Sequence, residues 1–243
     1  MMLRRLLSPF RTVVAVAVAL LATWTAAWTV TVVAWRNPGS PFIEGVINRW
    51  STIILAVAGV SLTVRGVENI EPGRSYVIVS NHQSSFDIPA HFLALPMPIR
   101  FFAKKELFRI PIFGTALRAI GIVEVDRHAG AVVHQQINSQ AAEVMRRGHS
   151  ILVFAEGTRY LDGQVRQFKR GAFSIAIASG LPILPVVVNG GHLAWPKRHP
   201  ILGGPITVMI SKPIETSALV HKDVPMLRDQ TKDEIERMIR AVG

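Results

Sequence analysis

The chain has 243 residues, of which 49% are hydrophobic and 18% charged, and it contains no cysteine. That hydrophobicity excludes a disordered or low-complexity chain, and the missing thiols exclude disulfides and thiolate metal sites and suit a reducing compartment. Lys and Arg number 27 against 16 Asp and Glu, a formal net charge of +11; this suits an anionic membrane face or a phosphorylated substrate, while long uncharged runs and the lack of a nucleic-acid motif argue against nucleic acid.

The first predicted element is Thr12–Trp35, 24 residues without a charge. As a helix it would measure about 36 Å, enough to cross or lie tilted within a bilayer core of about 30 Å. Trp24, Trp28 and Trp35 share one side of it, and Trp28 and Trp35 suit the headgroup level, where indole rings are favoured. A cleaved leader is the competing reading, but the run is much longer than the apolar part of a signal peptide. A second apolar run, Trp50–Val64, follows the turn chemistry of Pro38-Gly39-Ser40-Pro41. The two runs read as a helix–turn–helix membrane unit over residues 1–60, with an ordinary core helix as the other reading of the second run.

From about Leu62 the pattern changes. Strands are predicted at Ser61–Val67, Tyr76–Ser80, Ile120–Val125, Ile151–Phe154, Ile183–Val188 and Ile206–Ile210. Helices are predicted at Phe86–Leu95, Phe113–Ala119, Ala131–Arg147, Arg170–Ser179 and Val224–Val242. Strands that alternate with helices imply an α/β domain, residues 61–243, with a mostly parallel central sheet flanked by helices. The segment Phe101–Pro111 interleaves phenylalanines with Lys104, Lys105 and Arg109, and reads as a surface beside lipid headgroups.

In open α/β sheets ligands bind beyond the carboxyl ends of the strands. Four such ends carry unusual polar residues: Asn81-His82-Gln83-Ser84-Ser85-Phe86-Asp87, Asp126-Arg127, Glu156-Gly157-Thr158-Arg159 and Asn189-Gly190-Gly191-His192. A turn between strand and helix can fold His82 back onto Asp87. The carboxylate would then fix the imidazole tautomer and leave the other nitrogen free to take a proton from a hydroxyl. The competing reading has Asp87 as a helix cap and His82 as a loop residue. With no Cys and no Gly-x-Ser-x-Gly elbow, a covalent acyl-enzyme is not indicated. Gly157 permits close approach of a ligand, and Arg159 offers a planar bidentate partner for phosphate. The remaining histidines show no metal-ligand spacing, so no metal is expected.

These blocks resemble the glycerolipid acyltransferases. Asn81–Asp87 is similar to their His-x4-Asp motif, Phe154–Arg159 to their Glu-Gly-Thr-Arg motif, Gly121–Arg127 to the block that ends in Asp-Arg, and Leu184–Val188 to the fourth block. The branch it resembles is the 1-acyl-sn-glycerol-3-phosphate (lysophosphatidate) acyltransferases. The resemblance implies acyl transfer from acyl-CoA or acyl-carrier protein to the sn-2 hydroxyl of lysophosphatidate, giving phosphatidate, with no cofactor. It implies that His82 is the general base, oriented by Asp87. It further implies that Arg127, Glu156, Gly157, Thr158 and Arg159 hold the glycerol phosphate end, and that Lys105 reaches the same phosphate. The N-terminal unit resembles the two-helix membrane motif of bacterial members. The chain departs from the family pattern at Glu124, Ala155 and Tyr160.

The cytosolic donors imply a cell-membrane protein with its catalytic domain on the cytoplasmic face, resting on anionic lipid. Acylation of glycerol 3-phosphate or another lysophospholipid is the alternative enzymatic reading. A basic, non-enzymatic protein that binds anionic lipid is the third.

Overall fold

The computed structural model describes residues 8–125, 140–197 and 199–241. The chain begins with α1 (Ser8–Arg36), turns over residues 37–41, and continues as α2 (Phe42–Val57). Each buries one stripe. Ala15, Ala27, Val30 and Ala34 of α1 face inward, as do Ile43, Ile47, Ile54 and Leu55 of α2. The indole N–H of Trp50 donates to Thr23 Oγ1 at 2.9 Å and ties the pair together. The other face of α1 is open: Leu20, Leu21, Trp24, Trp28 and Trp35 are all exposed, Trp35 at 82%. Only α1, among the described residues, is long and apolar enough to cross a membrane.

The second apolar run does not form one helix. Residues 50–57 complete α2, Gly59 takes a positive φ of 68°, and Val60–Arg65 is strand β1. Seven strands then build one sheet in the order β1-β7-β6-β2-β5-β3-β4. They are β1, β2 (Val77–Ser80), β3 (Ile99–Lys104), β4 (Val123–Val125), β5 (Ser150–Phe154), β6 (Ile183–Asn189) and β7 (Gly204–Ile210). Every neighbouring pair is parallel except β6 and β7. Between the strands lie α3 (Asp87–Ala94), α4 (Phe113–Ala119), a helical stretch α5 over residues 140–146, α6 (Gly171–Ser179), the single turn α7 (Gly191–Ala194), and the last helix α8 (Val224–Arg240). The predicted Ala131–Arg147 helix falls partly outside the described residues. The expected mixed α/β fold is therefore present.

The central strands read as unbroken apolar runs because both faces are covered. In β2, Ile78 joins the core beneath α1, α2 and α3, whereas Val77 and Val79 join the core beneath α6 and α8, as side chains on a strand alternate. The first of these cores is continuous from Ala15 of α1 to Ile210 of β7. The helical pair and the sheet thus share one interior.

Strand β3 corrects the reading of Phe101–Pro111 as a lipid-facing surface. Phe101 and Phe102 belong to an internal strand between β5 and β4, and Phe108 is buried in a small core with Ala103, Leu117 and Ile122. Arg100 makes this strand hard to see in sequence. Its guanidinium is buried, donates to the Ile99 carbonyl at 2.8 Å, and meets Glu44 of α2 at 2.5 Å. A charge tolerated by a partner 56 residues away leaves no local trace. The predicted strand at Ile120–Val125 starts later, at Val123, because Gly121 turns the chain with φ 83°.

Candidate active site

Strand β2 delivers Ser80 and Asn81 to the carboxyl edge of the sheet, beside β5 and β6. There the Asn81 side chain replaces a ladder rung. Its Nδ2 donates to the Val188 carbonyl and its Oδ1 accepts from the Val188 N–H, both at 2.9 Å. This pins the start of the loop that carries His82.

The loop then folds back, as the His-x4-Asp spacing predicts. His82 Nδ1 lies 2.7 Å from Asp87 Oδ2. The same oxygen accepts the N–H groups of Gln83 at 2.7 Å and Ser84 at 2.8 Å. Asp87 is the first residue of α3 and its side chain is fully buried, while His82 keeps 13% of its side-chain surface. An ionised carboxylate only accepts, so the proton belongs on Nδ1 and Nε2 carries the lone pair. The imidazole lies flat on Phe154, with ring centroids 3.9 Å apart and planes 13° apart.

Strand β5 ends beneath this pair and supplies the second motif. Arg159 reaches back over the loop: its Nε lies 3.4 Å from His82 Nε2, and Nη1 donates to Ser85 Oγ at 2.9 Å. Thr158 and Arg159 are exposed. Gly157 has φ 75°, and a Cβ there would come within 2.7 Å of the Lys169 Cε and Nζ, so the Lys169 side chain lies across the bare main chain. Glu156 differs from the expectation that it touches the acceptor. It is buried, and its two oxygens accept the main-chain N–H groups of His82 at 3.0 Å and Arg166 at 2.8 Å. Burial pushes its carboxyl pKa up, with Asp87 and Asp162 adding to the effect and the two N–H groups opposing it.

Lys105 opens the 3₁₀ turn at the carboxyl end of β3, on the same sheet edge and two strands from β2. Arg127 lies outside the described residues.

Three site neighbours were given no role by the sequence: His91, and the Gly191 and His192 of the fourth polar strand end. His91, one helical turn after Asp87, is fully buried. Its Nδ1 pairs with the Asp87 carbonyl at 2.7 Å and its Nε2 with Ser80 Oγ at 3.0 Å. The i, i+4 spacing from Asp87 was the available signal. His192 Nδ1 lies 3.0 Å from Gln83 Oε1, and Gln83 in turn donates to the Gly163 carbonyl at 3.2 Å. Gly191 lies directly against the motif. A Cβ there would stand 2.7 Å from Ser84 Cβ and 3.0 Å from Asp87 Oδ1, an oxygen that has no hydrogen-bond partner among the described residues. Among the described residues no group of three or more His, Asp or Glu could hold a metal ion.

A buried carboxylate, an imidazole whose second nitrogen faces a guanidinium N–H, and that guanidinium itself form a site that can activate a hydroxyl beside an anion. The family model described as Acyltransferase matches residues 61–189. The 1-acyl-sn-glycerol-3-phosphate acyltransferase of Pseudomonas aeruginosa is 36% identical over 157 residues, 63% of this chain and 60% of that protein. The human 1-acyl-sn-glycerol-3-phosphate acyltransferase alpha is 31% identical over 186 residues, 76% of this chain and 66% of that protein. The crystal structure of the 1-acyl-sn-glycerophosphate (LPA) acyltransferase PlsC from Thermotoga maritima superposes with a TM-score of 0.84 at 25% identity, covering 98% of this chain and 97% of that one. The chain belongs to the acyltransferase family. It spans 60–66% of the length of the two curated relatives.

Proposed function

We propose that the protein transfers a fatty acyl group from a thioester, acyl-CoA or acyl-carrier protein, to the sn-2 hydroxyl of lysophosphatidate, giving phosphatidate. The observation that carries this reading is the His82–Asp87 pair at 2.7 Å with the Arg159 guanidinium on the other imidazole nitrogen. A general base and an anion partner next to one another suit an acceptor that carries a hydroxyl near a phosphate. The names of the relatives support the same acceptor.

The acceptor hydroxyl occupies the position at His82 Nε2 and gives up its proton there. Its oxygen attacks the thioester carbonyl, and the tetrahedral intermediate then collapses. The carbon–sulfur bond breaks, and the thiolate leaves with the proton from the His82 imidazolium. Ester and thiol are the products. General-base assistance supplies about 10²–10⁴-fold; positioning and stabilisation of the oxyanion supply the rest. Arg159 and Lys105 bind the acceptor phosphate, Arg159 through its planar fork. Arg127 joins them by resemblance alone. Main-chain N–H groups around Gly157 are candidates for the oxyanion. No cofactor takes part.

The open apolar face of α1 supports association with a membrane. In this reading it lies against one leaflet, the catalytic edge faces the cytoplasm, and the net charge of +11 holds the domain to anionic headgroups. The acceptor's own acyl chain remains in the leaflet while its headgroup enters the site.

The test is the purified protein with lysophosphatidate or glycerol 3-phosphate as acceptor and a panel of acyl-CoA and acyl-carrier-protein thioesters as donors. Phosphatidate is the expected product. Acylation of glycerol 3-phosphate in preference would move the acceptor assignment, and anionic-vesicle binding without any transfer would replace the enzyme reading.

A further inference from the structure

The Glu156 carboxylate bonds the main chain of His82 rather than its ring. It is 3% exposed, and each oxygen faces one main-chain donor: Oε2 the N–H of His82, Oε1 the N–H of Arg166. The carbonyl of His82 in turn accepts the Tyr160 N–H at 2.9 Å. Both polar groups of the His82 peptide unit are therefore held by the segment that follows β5. Phe154 of β5 supports the ring face, and Asp87 holds Nδ1 from the start of α3.

We infer that Glu156 is a positioning residue: its ionised carboxylate brackets the main chain of His82 to the loop at Arg166, and so fixes where the catalytic imidazole stands. This rests on the reading of His82 as the base of an acyltransferase. It removes Glu156 from the surface that touches the acceptor.

The chemistry of the bracket is exacting. Two buried N–H donors need two acceptors. A glutamine offers one acceptor and one NH₂, which would meet one of the donors head on. A protonated carboxyl offers the same mismatch. The bracket therefore works only when Glu156 is ionised. The charged and titratable groups around it are His82 and Asp87 from the β2–α3 side, Asp162 and Arg166 from the following loop, and Arg159 and Lys169 bordering the turn. Burial and the two aspartates hold the Glu156 pKa above its usual range. The bracket is complete above that raised pKa and opens as the pH falls through it, earlier than an ordinary carboxylate would.

The experiment uses the full-length chain in lipid vesicles with lysophosphatidate and whichever thioester the unaltered chain accepts. Glu156→Gln should lower kcat about tenfold or more, the loss expected from one unsatisfied buried N–H, while the acceptor KM changes less than about threefold. In hydrogen–deuterium exchange the peptide covering residues 77–86 or that covering 160–168 should exchange about tenfold faster, with β6 still protected. In the unaltered chain the fall of kcat towards acid should include a component from protonation of Glu156, and Glu156→Gln should remove that component. If the Gln chain does not fold, Glu156→Asp carries the same split, since it keeps charge and both acceptors but shortens the reach. A raised acceptor KM with kcat retained would overturn the proposal and restore Glu156 to the acceptor. Unchanged exchange in both peptides would overturn it as well. If the unaltered chain does not acylate lysophosphatidate, the functional reading fails, yet the exchange measurement still decides the bracket.

Discussion

Arg159 Nε stands 3.4 Å from His82 Nε2, with its outer nitrogen resting on Ser85 Oγ. The cation thus occupies the space that an acceptor hydroxyl needs at the base. An incoming phosphate gives the guanidinium a better partner than a serine hydroxyl, because charged bidentate hydrogen bonds are about twice as strong as neutral ones. In the proposed reading, acceptor binding would draw Arg159 off the imidazole and so expose the base.

Arg159→Lys should therefore act on the acceptor. Lysine keeps the charge but loses the fork. The acceptor KM should rise about tenfold, the value of one strong hydrogen bond, with the donor KM within a factor of about two. Steady-state kinetics with each substrate varied in turn checks it, and an effect confined to the donor would remove Arg159 from the phosphate site.

His82→Ala should lower kcat by at least about 10²-fold, the minimum contribution of a general base, with the circular dichroism spectrum unchanged. Asp87→Asn should be similarly severe. The amide can no longer demand a proton on Nδ1, and it also disturbs the N–H groups of Gln83 and Ser84. Retention of more than about a tenth of the activity by His82→Ala would displace it as the base.

Stability should fall in mild acid. His91 is fully buried and its pKa is lowered by that burial, and burial also lowers those of His149 and His192. The unfolded chain takes up protons near the ordinary histidine value of 6.5 and the folded chain only at lower pH. Stability is then complete above that value and is lost as the pH falls below it, by about 1.4 kcal/mol per pH unit for a fully buried histidine. Thermal melts from pH 7.5 to 5 should show Tm falling, and His91→Gln should flatten the trend. An equal slope in both chains would refute this.

Glu44→Ala should destabilise far more than a half-exposed position suggests. It strands the buried Arg100, whose Nε already lacks a hydrogen-bond partner among the described residues. Loss of one member of a buried pair costs about 3–5 kcal/mol. Replacing both, as Glu44→Leu with Arg100→Met, should recover most of it. Denaturant midpoints of the three chains make the comparison.

Much of this site was legible because its chemistry is local. His82 and Asp87 are five residues apart at the end of an apolar strand, and Glu156–Arg159 directly follows another. What was hidden depends on distant partners. β3 was missed because Arg100 interrupts its apolar pattern, and only Glu44 explains the charge. The second apolar run misled because Gly59 divides it between α2 and β1. Glu156 sits in a motif that reads as one unit, yet its side chain turns inward to His82 while Arg159 turns outward. No spacing distinguishes the two. Asn81 is joined to Val188 across 107 residues, beyond any sequence pattern.

The shared interior between the first two helices and the sheet means that the hairpin is not a detachable anchor. Arg11 donates to the Leu202 carbonyl at 2.7 Å and Thr12 accepts the Ile201 N–H at 2.8 Å, so even the start of α1 is stitched to the loop before β7. A chain trimmed at residue 60 would not become a soluble enzyme. It would bare the side chains that α1 and α2 now cover, and would leave Arg100 without its only carboxylate partner among the described residues. The apolar hairpin and the catalytic edge share one core, so if α1 rests on a bilayer as proposed, its tilt would also set the height of His82 above it.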